Sequence, residues 1–134
     1  MKEQFVTYEI AKLLKEKGFN EYCLAYYEIG KNTIQYVRET ENPWKNSNID
    51  NWMFVAPLWQ QVIYWLEEKH KIEYSASVGY EHEYHESPDC QWRSFNILIL
   101  GDSPDVIWFE DHIYYKTKKE IINEYFIPEA LKLI

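Results

Sequence analysis

Residues 72–80 alternate apolar and polar side chains, and this pattern constrains the fold more than any other in the sequence. The apolar positions are Ile72, Tyr74, Ala76, Val78 and Tyr80. Because successive side chains of a β-strand point to opposite faces, the pattern predicts a strand with one buried face. Such a strand needs a neighbour, and residues 91–100 provide one, since their apolar end Ile97-Leu98-Ile99-Leu100 is typical of a central strand.

Further strands are predicted before and after this pair. Residues 21–29 are rich in aromatic side chains and lack a helical period. Residues 33–37 follow them after the turn signal Gly30-Lys31-Asn32, so the two segments predict a hairpin. Residues 106–115 come after a second turn at 101–105 and are predicted to form the last strand.

Three segments have the apolar spacing of amphipathic helices. They are residues 7–17, 57–70 and 118–133. Thr7 is the predicted N-cap of the first helix, and Gly18 followed by Phe19 predicts its end. Pro57 suits the first position of the second helix, where no N–H is needed. Pro128 should kink the third helix or split it in two.

The predicted order of elements is therefore α-β-β-α-β-β-β-α. Short turns join antiparallel neighbours, so this order predicts an α+β fold with a mostly antiparallel sheet of about five strands and three helices. The sequence has no internal repeat and no linker. We expect residues 1–134 to form a single domain, which is an ordinary length for one.

Residues 38–54 have no period and are rich in asparagine. Loops of this length are uncommon inside a domain and often carry function. Trp44 and Trp52 lie in this loop. Because large rings are costly to leave in water, we expect parts of the loop to pack down and the two tryptophans to contribute to a contact surface.

Nearly all of the net charge of −8 lies in one region, because residues 81–111 hold eight acidic residues and one basic residue. An acidic chain without a basic stripe is a poor direct ligand for nucleic acid, but its field attracts a basic protein partner. The predicted interaction residues of this region are Glu81, Glu83, Glu86 and Asp89. Solubility and protection of a sheet edge explain the same charges, and the turns at 81–90 and 101–105 can form one surface or two.

The segment 81–90 also contains side chains that bind transition metals. His82, His85 and Cys90 are the candidate ligands, since imidazole and thiolate bind zinc and related ions. On a continuous strand the two histidines point to opposite faces, so a metal site needs a bulge or a loop there. A solvated hairpin tip explains these residues without a metal, and no cofactor is predicted.

The sequence lacks the common catalytic motifs. It has no Gly-x-Ser-x-Gly elbow, no Gly-x-x-x-x-Gly-Lys phosphate loop and no Gly-x-Gly-x-x-Gly turn. The leading interpretation is a non-enzymatic protein that binds a protein partner. The alternative is a small-molecule- or metal-binding protein, or a minor enzyme, with a site near residues 82–90. The oligomeric state is left open.

The sequence also bears on location. Residues 1–9 mix charged and apolar side chains and do not resemble a secretion signal, and no apolar run is long enough to span a membrane. Without such a signal, Cys23 and Cys90 are predicted to be reduced thiols. We therefore expect a cytoplasmic protein with no membrane partner.

Several segments are similar to a known family. The most distinctive is Ala56-Pro57-Leu58-Trp59-Gln60-Gln61, and the ending Glu129-Ala130-Leu131-Lys132-Leu133-Ile134 fits as well. Over almost its whole length the chain resembles short proteins of gut Bacteroides-type bacteria, their phages and mobile elements. The resemblance implies an accessory protein of a phage or mobile element, and it supplies no catalytic residue because the family has no assigned activity. Together with the acidic charge it suggests, as a subtype, an inhibitor of a host nucleic-acid-handling protein.

Overall fold

The structure is a computed structural model that describes residues 4–80, 91–108, 113–114 and 118–134. The proximity of Cα atoms divides the chain into two compact units, Met1–Val62 with Ile134 and Ile63–Leu133. The predicted α+β class and the order of the helices and strand groups are confirmed. The single domain stays a prediction.

Helix α1 (Tyr8–Glu16) begins and ends at the predicted signals. The Thr7 hydroxyl accepts a hydrogen bond from a backbone amide of the first turn at 3.4 Å. At the other end Gly18 has a φ of 88°, which glycine adopts without strain. The Phe19 amide then donates to the Leu14 carbonyl at 2.9 Å, and the Phe19 side chain is buried. This arrangement satisfies carbonyls at the helix end that would otherwise lack a partner.

The first unit contains a three-stranded antiparallel sheet. Its strands are β1 (Ala25–Glu28), β2 (Lys31–Tyr36) and β3 (Met53–Val55), in the order β2-β1-β3. The predicted hairpin of β1 and β2 is present, and Gly30 in its turn has a φ of 82°. Strand β3 corrects the prediction of a loop over residues 38–54. It is only three residues long and exists because it pairs with β1, a non-local contact without a local signal.

Aromatic rings join α1 to one face of this sheet. The centroid of the Tyr8 ring lies 5.7 Å from that of Tyr27 and 5.0 Å from that of Phe54, in edge-to-face arrangements. Tyr27 is buried, and its hydroxyl donates to the Val6 carbonyl at 2.9 Å. The core of the first unit thus contains a tyrosine whose polar atom is satisfied.

Side chains close the outer edge of β3 in the described part of the chain. The Val55 amide donates to Asn46 Oδ1 at 3.0 Å, and the Lys15 ammonium group donates to the Met53 carbonyl. Desolvation by burial lowers the pKa of Lys15, while the nearby Asp50 carboxylate opposes this shift. These contacts use backbone groups that would otherwise be open to a further strand. They therefore protect this edge from pairing with another strand.

Helix α2 (Trp59–His70) begins two residues later than predicted. Pro57 was expected at its first position but precedes the helix, and its carbonyl accepts a hydrogen bond from the Val6 amide at 3.0 Å. The tertiary contact therefore keeps this proline in the chain segment before the helix. Val62 and Leu66 are fully buried, which confirms the predicted core-facing stripe.

The second unit contains a separate antiparallel sheet. Its strands are β4 (Ile72–Tyr80), β5 (Gln91–Ile99), β6 (Asp105–Trp108) and β7 (Ile113–Tyr114). Strand β5 is central, with β4 on one side and β6 and β7 on the other. The described strands thus form two sheets rather than one sheet of about five, because non-local pairing decides which strands meet. The predicted last strand is present as β6 and β7, and residues 109–112 lie outside the described residues.

The C-terminal helix changes its hydrogen-bonding pattern just before Pro128, where the sequence predicts a kink or a split. It consists of α3 (Lys118–Ile121), a π-helical segment (Ile122–Phe126) and α4 (Ile127–Leu131). A backbone hydrogen bond that spans five residues closes the π-helical segment. Proline lacks an N–H, and its ring crowds the carbonyl four residues earlier, which explains the wider turn directly before it. Phe126, at the end of this segment, is fully buried.

Candidate functional site

Most of the predicted site residues lie outside the described residues. They are Glu81, His82, Glu83, His85, Glu86, Asp89 and Cys90. The acidic contact region and the metal site near 82–90 therefore stay predictions. Within the described residues, no group of three His, Cys, Asp or Glu side chains is placed to hold a metal ion.

The predicted contact loop 38–54 is held in place by Asn46. Its Nδ2 donates to the Phe19 carbonyl at 2.8 Å, and its Oδ1 accepts from the Val55 amide at 3.0 Å. A third bond joins the Ser47 amide to Asn20 Oδ1 at 2.9 Å. One half-buried amide side chain therefore ties the loop to the end of α1 and to β3, which confirms that part of the loop packs down.

Trp44 is half-buried and contacts residues in and next to β1. Its backbone makes two hydrogen bonds with that of Cys23, at 2.7 and 3.0 Å, and its ring centroid lies 4.9 Å from that of Tyr26. The next residue is Lys45, and its Nζ lies 5.0 Å from the centroid of the exposed Tyr22 ring. These contacts give a small surface of rings with one cation, in a geometry typical of cation–π pairing.

Ile29 lies at the tip of the β1–β2 hairpin, and Trp52 lies opposite it, directly before β3. These two exposed apolar residues are here named the hairpin-tip pair. The Ile29 amide donates to the Trp52 carbonyl at 2.8 Å, and this bond continues the antiparallel pairing of β1 with β3. Their exposed fractions are 58% for Ile29 and 50% for Trp52. Sequence analysis selected Trp52 but missed Ile29, whose only signal is its position before the Gly30 turn.

The frame beneath the hairpin-tip pair is well supported. The Gly30 amide donates to the Tyr8 hydroxyl at 2.8 Å, which joins the hairpin turn to α1. On the other side, the Met53 amide donates to the Asp50 carbonyl at 3.0 Å and closes the turn that carries Trp52. The pair is thus an exposed apolar surface on two backbone segments that are both held by hydrogen bonds, and such a surface can bind a partner with little loss of backbone entropy.

Cys23 is a free, buried thiol. Its Sγ lies 3.9 Å from Gln61 Oε1 and 3.5 Å from the Glu21 carbonyl oxygen. Burial raises the pKa of the thiol to about 12, and the hydrogen bond to Gln61 only partly offsets this effect. Since the thiolate is the reactive form, the site does not favour a nucleophilic role for this residue.

The Cys23 thiol is expected to react slowly with an alkylating reagent at pH 8 in the folded protein. The shift from 9.0 to about 12 implies about a thousandfold less thiolate than in the unfolded chain. The measurement is the labelling rate of the Cys90→Ser variant, with and without denaturant. Because the folded pKa lies above the unfolded one, the thiol's contribution to stability is complete below pH 9.0 and is lost as the pH rises towards 12.

A matched control for this pH dependence is the Cys23→Ala change in the same Cys90→Ser background. The unfolding free energy of every variant falls at alkaline pH. In this variant, the part of the fall that comes from ionisation of the Cys23 thiol should be absent. Labelling of folded protein as fast as that of unfolded protein would show that Cys23 is accessible and contradict the burial.

Comparison with known proteins gives no relative: no family model, no curated protein and no solved structure matches this chain. Among the described residues, no helix is long and apolar enough to cross a membrane.

Proposed function

We propose that this protein is a non-enzymatic interaction module that binds a protein partner through the hairpin-tip pair and the acidic region 81–111. The exposed pair of Ile29 and Trp52 carries the proposal. Tryptophan is enriched among the residues that dominate binding energy at interfaces, because it buries a large rigid area. Residues at opposite positions of two paired segments offer a partner two neighbouring apolar side chains rather than one scattered side chain.

The acidic region supplies the second part of the proposal. Eight acids against one base in residues 81–111 favour a basic partner, since complementary charge raises the rate of encounter and selects the partner. The resemblance to proteins of phages and mobile elements supports an accessory role in the bacterial cytoplasm. A host protein that handles nucleic acid has the basic surface that this charge fits, so we propose inhibition of such a protein as the subtype.

The test is affinity purification of the tagged chain from a bacterial host lysate, followed by mass spectrometry. Wild type is compared with Trp52→Ala and Ile29→Ser, which remove the exposed pair, and with Tyr64→Ala as a matched control. Tyr64 is 65% exposed on α2 and is not part of the proposed surface. We expect a stoichiometric protein partner that both pair variants reduce at least tenfold and that the control retains, in line with the cost of losing a central interface residue.

A second arm neutralises the acidic region. The variant carries Glu81→Gln, Glu83→Gln, Glu86→Gln and Asp89→Asn. We expect weaker capture of the same partner and a weaker dependence of capture on salt. No partner in any sample, together with a metal or metabolite released on denaturation, would overturn the proposal and favour the alternative site near 82–90.

A further inference from the structure

Strand β4 ends the second sheet. Among the described strands, β4 pairs with β5 on one side and has no strand on the other. Its register runs without a shift from Ile72↔Ile99 to Tyr80↔Gln91, so the strand carries no bulge over nine residues. It contains no proline, and Glu73 is its one charged residue. Bulges, prolines and charges are the usual devices that protect an edge strand, and β4 has almost none of them.

The opposite edge of this sheet differs. Strand β6 has four residues and β7 has two. Asp105 begins β6, directly after Pro104. Short strands with a charge and a proline are poor templates for another strand. In the first sheet, Asn46 and Lys15 cover the edge of β3. Of the edges compared, β4 is the long and regular one, and Glu73 is its single charge.

The hydrogen bonding between β4 and β5 shows which backbone groups of β4 face outward. The Leu100 amide donates to the Lys71 carbonyl at 2.7 Å, so position 71 is bonded to the β5 side. In an antiparallel pair, bonded and non-bonded positions alternate. The odd-numbered residues of β4 therefore bond to β5, and the N–H and C=O groups of Ile72, Ala76 and Tyr80 point away from it.

We propose that β4 pairs antiparallel with β4 of a second copy of this chain, about a two-fold axis at Ala76. This register sets Ala76 opposite its own counterpart and Ile72 opposite Tyr80, so that outward-facing backbone groups meet outward-facing backbone groups. Glu73 then lies opposite Gly79, and no two like charges are opposed. The strand is thus complementary to itself, which a two-fold interface requires.

The proposal goes beyond the proposed function, because its interface contains neither residue of the hairpin-tip pair. The strength of the dimer should also depend on the salt concentration. Each copy carries a net charge of −8, which opposes association at long range. Screening weakens this repulsion, so the dimer should become tighter between low and physiological ionic strength.

The test is sedimentation velocity of the full chain over a concentration series. Two double variants use the register, in which Ser75 lies opposite Ser77 of the other copy. Ser75→Lys with Ser77→Lys opposes two pairs of like charges, and Ser75→Glu with Ser77→Lys opposes two pairs of unlike charges. We expect wild type to dimerise, the first variant to raise the dissociation constant about tenfold and the second to retain the dimer. The first variant lowers the net negative charge, so weaker association cannot come from long-range repulsion.

Proline substitutions give a second, independent comparison. Ala76→Pro removes an outward N–H and leaves the bonds to β5, so we expect a folded monomer. Ser77→Pro removes a bond to β5, so we expect a lower melting temperature. Wild type that sediments as a monomer up to millimolar concentration would overturn the proposal. A dimer that survives both Ala76→Pro and the double-lysine change would overturn it equally, because the interface would then lie elsewhere.

Discussion

Replacing Phe126 by alanine is expected to lower the free energy of unfolding by about 3–5 kcal/mol. Phe126 is fully buried at the end of the π-helical segment, and its ring centroid lies 5.1 Å from that of Tyr74 in β4. Removing the ring leaves a cavity between the C-terminal helix and the second sheet and forfeits an edge-to-face contact. Denaturant unfolding followed by circular dichroism measures the change.

The matched control is Leu133→Ala in the same terminal segment. Leu133 is 45% exposed, so its loss should change the unfolding free energy by less than about 1 kcal/mol. Equal effects of the two changes would show that Phe126 is not a core residue.

Replacing Asn46 by alanine is expected to lower the free energy of unfolding by about 2–4 kcal/mol, although the residue lies in a loop. The change leaves the Phe19 carbonyl and the Val55 amide without their partner, and each unsatisfied group costs about 1–3 kcal/mol when shielded from water. Trp44 and Trp52 flank Asn46 in the loop, so tryptophan fluorescence should change as well. Denaturant titration with fluorescence detection measures both effects.

Ser47→Ala is the control for Asn46→Ala. The Ser47 contact to Asn20 uses the backbone amide, which the alanine variant keeps. Its unfolding free energy should stay within about 0.5 kcal/mol of wild type. If Asn46→Ala behaves in the same way, the loop is held by contacts other than the two bonds of Asn46.

Elements with local signals were predictable from the sequence. The cap at Thr7, the end at Gly18 and Phe19, and the hairpin turn at Gly30 depend on residues within a few positions of one another. The effect of Pro128 is local for the same reason, since a missing N–H acts within its own helix. The structure confirms the first three, and near Pro128 it shows a π-helical segment in place of a regular α-helical turn.

Features decided by distant contacts were not predictable. Strand β3 is three residues long and follows an asparagine-rich segment, so only its pairing with β1 makes it a strand. Pro57 fits the start of a helix by propensity, but its bond to Val6 keeps it outside the helix. The division into two sheets likewise depends on which strands meet, and no short pattern encodes that choice.

The candidate site was predictable in part. The role of Trp44 and Trp52 in a contact surface stays a prediction. The cost of exposing large rings singles out these two residues of the loop, but it does not rank them by exposure. Trp44 is half-buried against Tyr26, whereas Trp52 stays half-exposed. Ile29 becomes its neighbour only through the register of β1 and β3, which explains why the hairpin-tip pair was not visible in the sequence.

The order β2-β1-β3 has a consequence for synthesis on the ribosome. Strands β1 and β2 are joined by two residues and can pair as soon as residue 36 is free, whereas β3 ends at residue 55. At a translation rate of about 5–20 residues per second, the edge of β1 that later pairs with β3 stays unpaired for roughly one to four seconds. In that interval its backbone groups are open to any extended segment nearby. The nascent chain is therefore most exposed to mispairing before the asparagine-rich loop has been made, and slower translation of this loop would lengthen the risk.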